Sequence, residues 1–390
     1  MTWRRSLVGR LWLSRVVFSL VVVLGLSLGA QAQFNTEAGQ AVVYDYETWQ
    51  ILYTKNADQP MAPSSMTKIM TAYVVFDALE KGEVTLGQRL RVSERAYRPE
   101  GSRMWLGLDT RVSVDSLLKG LIVQSGNDAA VVLAEGVSGS VGGFVERMNS
   151  VAQALGMTGT HFMNPSGLNQ EGHYSTANDI ARLSRALIAD FPHYYPYFSI
   201  GNYSYAGIAQ TNRNLLLGGR LGVDGIKTGY TQAGKYGQAT SALDPSTGRR
   251  VIVVFNGVPS IAIRKREAER LVEFGLDAFT NHDLLAVGQV IGYAPVWLGE
   301  EAQIPLVVHR TIRRTLRRDA IHNMQGTLVL YQSPLNAPIE AGQEVGRLLY
   351  FSLGMSGETA PFEEPVYAGK GVTALSRVEA AIEGVRRYLL

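Results

Sequence analysis

The chain has 390 residues, of which 46% are hydrophobic and 18% are charged, and it contains no cysteine. This length and composition predict two or three globular domains and exclude a disordered tail protein. The lack of cysteine excludes disulfides, thiolate nucleophiles and cysteine-bound zinc or iron–sulfur clusters.

Residues 1–32 have the pattern of an export signal. Four arginines without any acid precede an apolar run at 16–29, and small residues follow in Ala30-Gln31-Ala32. The run is shorter than the roughly 20 residues of a membrane-spanning helix, so we expect a signal peptide, with an uncleaved anchor as the alternative. Removing the four arginines from 37 basic residues leaves 33 against 34 acidic residues, and no general nucleic-acid-binding charge survives.

The patterns that follow predict a first domain over 33–280. A β-hairpin is predicted at 40–54, then a helix from Ser64 to Leu79 that Gly82 can end. Further helices are predicted at 113–123, 127–136, 143–155 and 176–189. Three strands are predicted at 223–230, 236–243 and 250–257, and a closing helix at 264–279. Strands at both ends of the domain predict one sheet with helices inserted between its halves.

Residues 286–370 change to short β-type runs separated by Gly, Pro and Asn turns, which predicts a small β-rich domain. This domain contains an arginine-rich sequence at 309–319. We interpret that sequence as a solvated strand face, or alternatively as a contact for anionic lipid or for another protein.

The segment 372–390 predicts a C-terminal amphipathic helix. Its apolar stripe consists of Leu375, Val378, Ile382, Val385 and Leu389. Such a helix can lie in a membrane interface or pack on its own domain. Glu379 and Glu383 on the polar face weaken any attraction to anionic lipid.

Several familiar signatures of catalysis do not occur. The sequence has no HExxH, no P-loop, no G-x-S-x-G and no Rossmann fingerprint, so neither a metal nor a cofactor is expected. The six histidines have no metal-site spacing. His161 and His173 flank a loop, and we interpret both as structural or surface residues.

Ser65 and Lys68 stand three residues apart where the first predicted helix begins, which places a hydroxyl and an amine on one face. A serine needs a base to become a good nucleophile. The lysine can act as that base only if its pKa falls by roughly three units, which costs about 4 kcal/mol. Burial and a neighbouring cation both act in this direction.

This S-x-x-K tetrad is a weak signal by itself, because Ser116-Leu117-Leu118-Lys119 also matches it. The second copy is predicted to lie in the middle of a helix, without a helix start. We therefore interpret it as part of the core and surface.

Two downstream sequences strengthen the first tetrad: S-G-N at 125–127 and K-T-G at 227–229. The second serine can relay protons, Asn127 can hold a substrate amide, and Lys227 can both depress the pKa of the upstream lysine and attract a carboxylate. Gly229 permits close approach of a substrate backbone to a strand edge. Each sequence alone also fits a helix-entry loop or a turn, but their order within one domain indicates function.

These three elements form the set found in penicillin-binding proteins and class A β-lactamases. The chain closely resembles low-molecular-mass penicillin-binding proteins that are D-alanyl-D-alanine carboxypeptidases, over nearly all of its length after residue 32. The resemblance rests on PSSMTKIMT at 63–71, SGNDAA at 125–130, HFMNPSGLN at 161–169, VDGIKTGYT at 223–231 and LNAPIEAGQEVG at 335–346. It implies an α+β fold, with an antiparallel sheet flanked by helices and then a small all-β domain.

The resemblance implies that Ser65 is the acylated nucleophile, Lys68 its general base and Ser125 a proton relay. Substrate binding would involve Asn127, Lys227, Thr228, Gly229, Tyr230 and Arg266. In this scheme the lysine and threonine bind the terminal carboxylate, and the arginine assists them. The backbone N–H groups of the nucleophile and of the residue after K-T-G would form an oxyanion hole. The family often has histidine where this chain has tyrosine, which puts rate or substrate preference in doubt.

The implied function is a serine-type D-alanyl-D-alanine carboxypeptidase that trims peptidoglycan pentapeptides and is acylated by β-lactams. SGN in place of SDN favours the peptidase branch, and without an E-x-x-L-N sequence efficient β-lactamase activity is not expected. The alternatives are an endopeptidase for D-Ala–meso-diaminopimelate crosslinks and a non-catalytic scaffold for envelope peptides. The expected location is the periplasm, with the C-terminal helix on the outer face of the inner membrane.

Overall fold

The computed structural model describes residues 34–319, 324–352 and 362–388. The predicted signal peptide therefore lies outside the described residues, as does Leu389 of the predicted C-terminal stripe. The chain from Thr36 onward forms one compact unit.

The first domain contains the predicted hairpin, a series of helices and three long strands. Its strands are β1 (Gln40–Asp45), β2 (Ile51–Lys55), β3 (Arg89–Arg91), β4 (Arg111–Ser113), β5 (Asn202–Tyr205), β6 (Ile208–Thr211), β7 (Val223–Thr231), β8 (Lys235–Leu243) and β9 (Arg250–Val258). Its helices are α1 (Lys68–Glu80), α2 (Glu94–Tyr97), α3 (Val114–Ile122), α4 (Asn127–Ser138), α5 (Val141–Ala154), α6 (Ala177–Asp190) and α7 (Ile261–Asp277). Two 3₁₀ turns span Ser64–Thr67 and Tyr195–Ser199.

The main sheet has the order β2-β1-β9-β8-β7, with every neighbouring pair antiparallel. The prediction of one sheet that joins both ends of the domain is confirmed. Alternation along the strands gives the sheet two buried faces. Val42 and Ile252 belong to the core cluster that includes α1 and α6, whereas Val43 and Val251 lie against Gly275 of α7.

Several helix starts in this domain are fixed by hydroxyl side chains. Each accepts a hydrogen bond from a backbone N–H in the first turn and satisfies a group that the helix leaves unpaired. These N-caps are Ser113 for α3, Ser140 for α5, Thr176 for α6 and Ser260 for α7. The helix predicted to start at Ser64 begins instead with the 3₁₀ turn and becomes α-helical at Lys68.

The second domain begins at Phe279 rather than at 286. Its elements are β10 (Phe279–Leu285), β11 (Val290–Trp297), β12 (Gln303–Val307), β13 (Ile312–Arg317), β14 (Met324–Leu330), β15 (Leu335–Asn336), β16 (Glu344–Ser352), β17 (Phe362–Ala368) and α8 (Arg377–Tyr388). The strands form a sheet of order β14-β16-β17-β12-β11-β15 and a β10–β13 pair. β10 has no turn signal before it, since it follows α7 after one residue, and so the sequence did not separate it from the helix.

The joint between the two domains contains a buried ion pair. Arg249 lies 3.1 Å from Asp45, and both side chains are almost fully buried. The same guanidinium donates to the carbonyl of Phe279 at 2.7 Å, where the second domain begins. Thr48 and Thr315 add a hydroxyl contact of 2.5 Å between the domains.

The arginines of 309–319 are engaged within the protein. Arg310 and Arg314 both bind Glu364, and Arg313 binds Asp283 at 2.6 Å. The interpretation as an ordinary strand face fits this pairing better than a lipid contact does. Among the described residues no single helix is long and apolar enough to cross a membrane. In the same part of the chain, α4 and α5 pass that test of length and composition when they are taken together, although they are bent by 86° at their break.

Candidate active site

The first S-x-x-K tetrad lies where the 3₁₀ turn runs into α1. Ser65 is partly exposed, whereas Lys68 is fully buried. The amine of Lys68 lies 3.0 Å from Ser65 Oγ, 2.7 Å from Asn127 Oδ1 and 2.6 Å from the carbonyl oxygen of Ser166. The hydroxyl and the amine are therefore in hydrogen-bond contact, as the spacing predicted.

The contacts of Lys68 can accommodate a neutral amine, and its lowered pKa makes that form accessible. A neutral amine has two N–H donors and one lone pair. The amide oxygen of Asn127 and the carbonyl of Ser166 can only accept, so they take the two N–H groups. The lone pair is then left for the O–H of Ser65. Burial, assisted by the nearby charge of Arg213 and opposed by that of Asp128, lowers the pKa of Lys68 from 10.5 to about 7.

The carbonyl of Ser166 is held in place by a tight loop. Asn164 Oδ1 accepts hydrogen bonds from the backbone N–H groups of Ser166 and Gly167, at 3.2 and 2.8 Å. Gly167 has φ of +82°, and a Cβ there would lie 1.8 Å from the carbonyl oxygen of Ser64. Only glycine fits this close approach between the loop and the nucleophile turn.

His173 connects the same loop to the same turn. Its Nδ1 accepts from the backbone N–H of Met163 at 3.0 Å, so the ring proton is on Nε2, which donates to Thr67 Oγ1 at 2.9 Å. Burial lowers the pKa of His173 to about 4, with smaller effects of His161 and Lys68. The structural role predicted for this histidine agrees with these contacts, although nothing in the sequence indicated its partners.

The S-G-N sequence forms the connection from α3 to α4. Ser125 adopts φ of +58° and is buried. Asn127 begins α4, and besides Lys68 it contacts a neighbouring loop: its Nδ2 donates to the carbonyl of Glu100 at 2.5 Å and its backbone N–H to that of Ser102 at 2.7 Å. Asp128 is fully buried and accepts from the backbone N–H of Met104 at 3.0 Å. Asn127 and Asp128 therefore fix this loop beside the cleft.

The K-T-G sequence lies on edge strand β7. The buried amine of Lys227 donates to Ser125 Oγ at 3.0 Å and to the carbonyl of Thr228 at 3.2 Å. Its pKa is well below the ordinary value, because of burial first and then the charges of Lys68, Arg213 and Arg264. The predicted proximity of the two lysines is thus present. Arg213 lowers the pKa of both lysines, and Lys68 in addition lowers the pKa of Lys227.

The next two residues of β7 follow the cleft. A Cβ on Gly229 would lie 3.0 Å from the carbonyl of Pro63, so the strand runs close to the nucleophile turn. The side chain of Tyr230 is 55% exposed and lies against Tyr236, with ring centroids 4.3 Å apart. The tyrosine in place of the family's histidine therefore presents its ring to solvent.

The structure does not bring Arg266 to the site. Its guanidinium pairs with Glu37 and is about half exposed. Arg264, two residues earlier on α7, is buried instead; it donates to the carbonyl of Arg213 at 2.7 Å, and its Nε has no partner among the described residues. Two residues on a helix differ in direction by about 200°, so Arg264 and Arg266 lie on nearly opposite faces of α7. The prediction of Arg266 therefore named an arginine on the face that points away from the site.

Arg213 is a site residue that the sequence analysis missed. It donates to Ser102 Oγ at 2.5 Å and contributes to lowering the pKa of both lysines. It stands in a polar loop between β6 and β7 without any catalytic motif. The one feature of the sequence that could have indicated Arg213 is its position upstream of K-T-G, and that position by itself predicts no contact with the site. Together, these residues place a partly exposed hydroxyl beside an amine of lowered pKa, with a second hydroxyl–amine pair nearby, which is an arrangement suited to acyl transfer.

Comparisons with known proteins agree with this arrangement. Residues 28–259 match the D-alanyl-D-alanine carboxypeptidase family, peptidase S11, and residues 279–374 match the penicillin-binding protein 5 C-terminal domain. The chain is 37% identical over 348 residues to D-alanyl-D-alanine carboxypeptidase DacD of Escherichia coli, covering 85% of this chain and 89% of the relative.

Two solved structures show the same fold. Penicillin-binding protein 5 from Haemophilus influenzae matches with a TM-score of 0.76 and 33% identity, over 87% of this chain and 99% of that one. Penicillin-binding protein D2 from Listeria monocytogenes, in an ampicillin-bound form, matches with a TM-score of 0.58 and 31% identity. That match covers 63% of this chain and all of the other.

Proposed function

Since the chain belongs to the D-alanyl-D-alanine carboxypeptidase family and is a serine-type enzyme of that kind, we propose that it removes the terminal D-Ala from peptidoglycan pentapeptides with Ser65 as nucleophile. We further propose that penicillins acylate the same serine. The observation that carries both proposals is the position of the buried Lys68 amine, 3.0 Å from Ser65 Oγ and held by the acceptors Asn127 Oδ1 and the carbonyl of Ser166.

In the acylation step, Lys68 takes the proton of Ser65 as Oγ attacks the carbonyl carbon of the penultimate D-Ala. The C–N bond to the terminal D-Ala then breaks, and the proton held by Lys68 passes by way of Ser125 to the leaving amine, so that Lys68 is neutral again. Water next attacks the acyl-enzyme with Lys68 as base, and Lys68 returns that proton to Oγ of Ser65 as the acyl group leaves. The backbone N–H groups of Ser65 and Tyr230 would stabilise the oxyanion, and each such donor is worth about 2.7–4 kcal/mol in comparable sites.

The terminal carboxylate of the substrate would lie toward Lys227, Thr228 and Arg264. Lys227 and Arg264 are both buried, and Arg264 has an unpaired Nε. An unpaired buried donor is costly, and a bound carboxylate would satisfy it. Arg264 thus takes the role that the sequence analysis gave to Arg266, while Asn127 and Gly229 hold the substrate backbone.

The test is D-Ala release from diacetyl-L-Lys-D-Ala-D-Ala by the chain that lacks residues 1–32. Release is expected, and it should fall by several orders of magnitude in Lys68→Ala but not in the matched control Lys119→Ala. Binding of the peptide without release would identify a scaffold instead. Faster release of monomers from crosslinked muropeptide dimers than of D-Ala from pentapeptide would identify an endopeptidase.

We also propose export to the periplasm and attachment to the outer face of the inner membrane through α8. Three residues of the apolar stripe are largely exposed: Val378 by 70%, Ile382 by 63% and Val385 by 61%. This exposure supports the membrane interpretation over packing on the second domain, because burial in lipid would remove the apolar area from water.

Vesicle sedimentation tests the attachment. The chain 33–390 should bind vesicles that contain anionic lipid, and Val378→Ser/Ile382→Ser should bind several-fold less. Val290→Ser, a change of another exposed apolar residue outside α8, is the control and should have no effect. Equal binding by the double variant and the unchanged chain would contradict the proposal.

A further inference from the structure

The loop that faces Asn127 carries a carboxylate that the proposed reaction does not use. Among the residues that the structure describes, the carboxylate of Glu100 has neither a hydrogen bond nor an ion pair, and the residue is exposed. Its backbone carbonyl, by contrast, is only 2.5 Å from the amide nitrogen of Asn127. An unpaired acid is thus attached to a backbone that contacts a main component of the site.

The backbone around Glu100 lies flush against the site. Gly101 has φ of +80°, and a Cβ there would be 3.2 Å from Asn127 Nδ2. The next residue, Ser102, accepts from the backbone N–H of Asn127 and from the guanidinium of Arg213. The loop is therefore a fixed wall of the cleft, and the side chain of Glu100 starts from a defined position on that wall.

The other charges at the cleft make this carboxylate unusual. Arg213 and Arg264 are guanidinium groups that suit the carboxylate end of a substrate, and the charge of each lowers the pKa of the nearby Lys227. Asp128, an acid close to Asn127 in the chain, is buried and occupied by backbone N–H groups. A substrate with an additional positive charge would be repelled by these guanidinium groups unless a free acid balanced them, and Glu100 is an exposed acid whose backbone contacts Asn127.

The direction in which the peptide would bind also supports a role for Glu100. On the proposed function, the scissile carbonyl is at Ser65 and the amide of the penultimate D-Ala is held by Asn127. The residue before it then passes the far side of Asn127, one residue length of about 3.5 Å further along, where the wall of Glu100 stands. In a stem peptide that contains lysine or meso-diaminopimelate, this residue is a diamino acid.

We propose that Glu100 is a specificity residue that selects stem peptides whose third residue carries a free side-chain ammonium. This inference rests on the proposed function and deepens it. In a crosslinked peptide the corresponding amine is acylated and uncharged. Glu100 would therefore favour uncrosslinked strands over crosslinked ones.

The experiment compares two substrates that differ by one charge: Nα-acetyl-L-Lys-D-Ala-D-Ala, with its free ammonium, and diacetyl-L-Lys-D-Ala-D-Ala. Values of kcat/KM are measured from D-Ala release near pH 8, where the free side chain is charged. The unchanged enzyme should prefer the charged substrate by roughly three- to fivefold, as expected for a partly exposed ion pair. The preference should shrink in about 0.5 M salt.

Glu100→Gln should abolish the preference while leaving turnover of the diacetyl peptide unchanged, and Glu100→Asp should keep part of it. Glu171→Gln is the matched control, because Glu171 is an exposed acid on the loop that carries Ser166 rather than on the loop of Glu100. Fluorescent penicillin labelling checks that each variant has an intact site.

No preference in the unchanged enzyme would overturn the proposal, as would a preference that survives Glu100→Gln or is lost equally in Glu171→Gln. In those cases release from the diacetyl peptide still supports the carboxypeptidase reaction. Failure of the unchanged enzyme to process either peptide would overturn the proposed function, and the role of Glu100 with it.

Discussion

The chain contains the S-x-x-K tetrad twice, and the two copies have different chemistry. Lys68 is fully buried among three oxygen atoms without a carboxylate contact, and its pKa is lowered to about 7. Lys119 is partly exposed and pairs with Asp115 at 2.8 Å. Its serine, Ser116, receives a hydrogen bond from Ser113 at 2.9 Å rather than facing the amine.

Both tetrads lie at the start of a helix, so a helix start does not distinguish the active copy from the other one. We expected Ser116 to lie in the middle of a helix, but α3 begins at Val114, with Ser113 as its cap. That expectation was wrong, because the cap was hidden within the short strand β4. The decisive differences are burial and the lack of a counter-charge, which are properties of the surroundings rather than of the four residues.

The largest effect is expected when the serine of the first tetrad, Ser65, is replaced. Ser65→Ala should abolish the covalent adduct with benzylpenicillin, whereas Ser116→Ala should leave it complete, because only Ser65 faces a neutral amine. Intact-mass measurement after incubation with the antibiotic checks both variants. An adduct that persists in Ser65→Ala would place the nucleophile elsewhere.

A pH profile distinguishes the two lysines next. Lys68 must be neutral to accept a proton, so kcat/KM should fall about tenfold per pH unit below its pKa of about 7 and level off above it. Lys119→Ala should leave this acid limb in place, since Lys119 takes no part. A profile that is flat between pH 5 and 8 would contradict the assignment of Lys68 as base.

A third test disturbs the loop of Ser166 and Gly167, which packs against the first tetrad only. Gly167→Ala should destabilise the protein by about 2 kcal/mol or more and slow acylation, because the new Cβ would collide with the carbonyl of Ser64. Gly172→Ala is the control: φ is also +82°, but the nearest atom to its Cβ is 3.6 Å away. Urea unfolding should show a clearly larger loss for Gly167→Ala; equal losses would mean that only the dihedral angle matters.

The smallest expected effect concerns the cation that the sequence analysis missed. Arg213→Gln should move the acid limb of kcat/KM to higher pH, because the charge of Arg213 helps to lower the pKa of Lys68. Arg220→Gln is the control, since Arg220 pairs with Glu273 instead. An unchanged limb in Arg213→Gln would show that burial alone sets the pKa.

The fold and most of the site were predictable because they follow local patterns. The hairpin, the helices between 113 and 189 and the three long strands appear close to their predicted bounds, since each has a regular apolar period and turn residues at its ends. The order of the three motifs also predicted which hydroxyls and amines would meet. The contacts of Lys68 with Ser65 and Asn127 agree with that prediction.

What the sequence did not show depends on long-range contacts. The carbonyl of Ser166 as an acceptor for Lys68, the effect of Arg213 and the position of Arg264 in place of Arg266 all arise between segments far apart in the chain. A backbone carbonyl has no residue type to recognise. An arginine in a loop is equally compatible with solvent. The face of a long helix cannot be read from a motif when two arginines stand two residues apart.

The joint between the two domains has a consequence for how the molecule melts. Arg249 bridges Asp45 of the first domain and the carbonyl of Phe279, where the second begins, with little access to water. Separating the domains would break the hydrogen bond from Arg249 to Phe279 and would let water reach the Arg249–Asp45 pair of the first domain. We therefore expect calorimetry to record one cooperative heat-absorption peak, and a protease to find no early cleavage point at 277–280. The first domain, with its cleft, and the β-rich domain would then unfold together rather than one after the other.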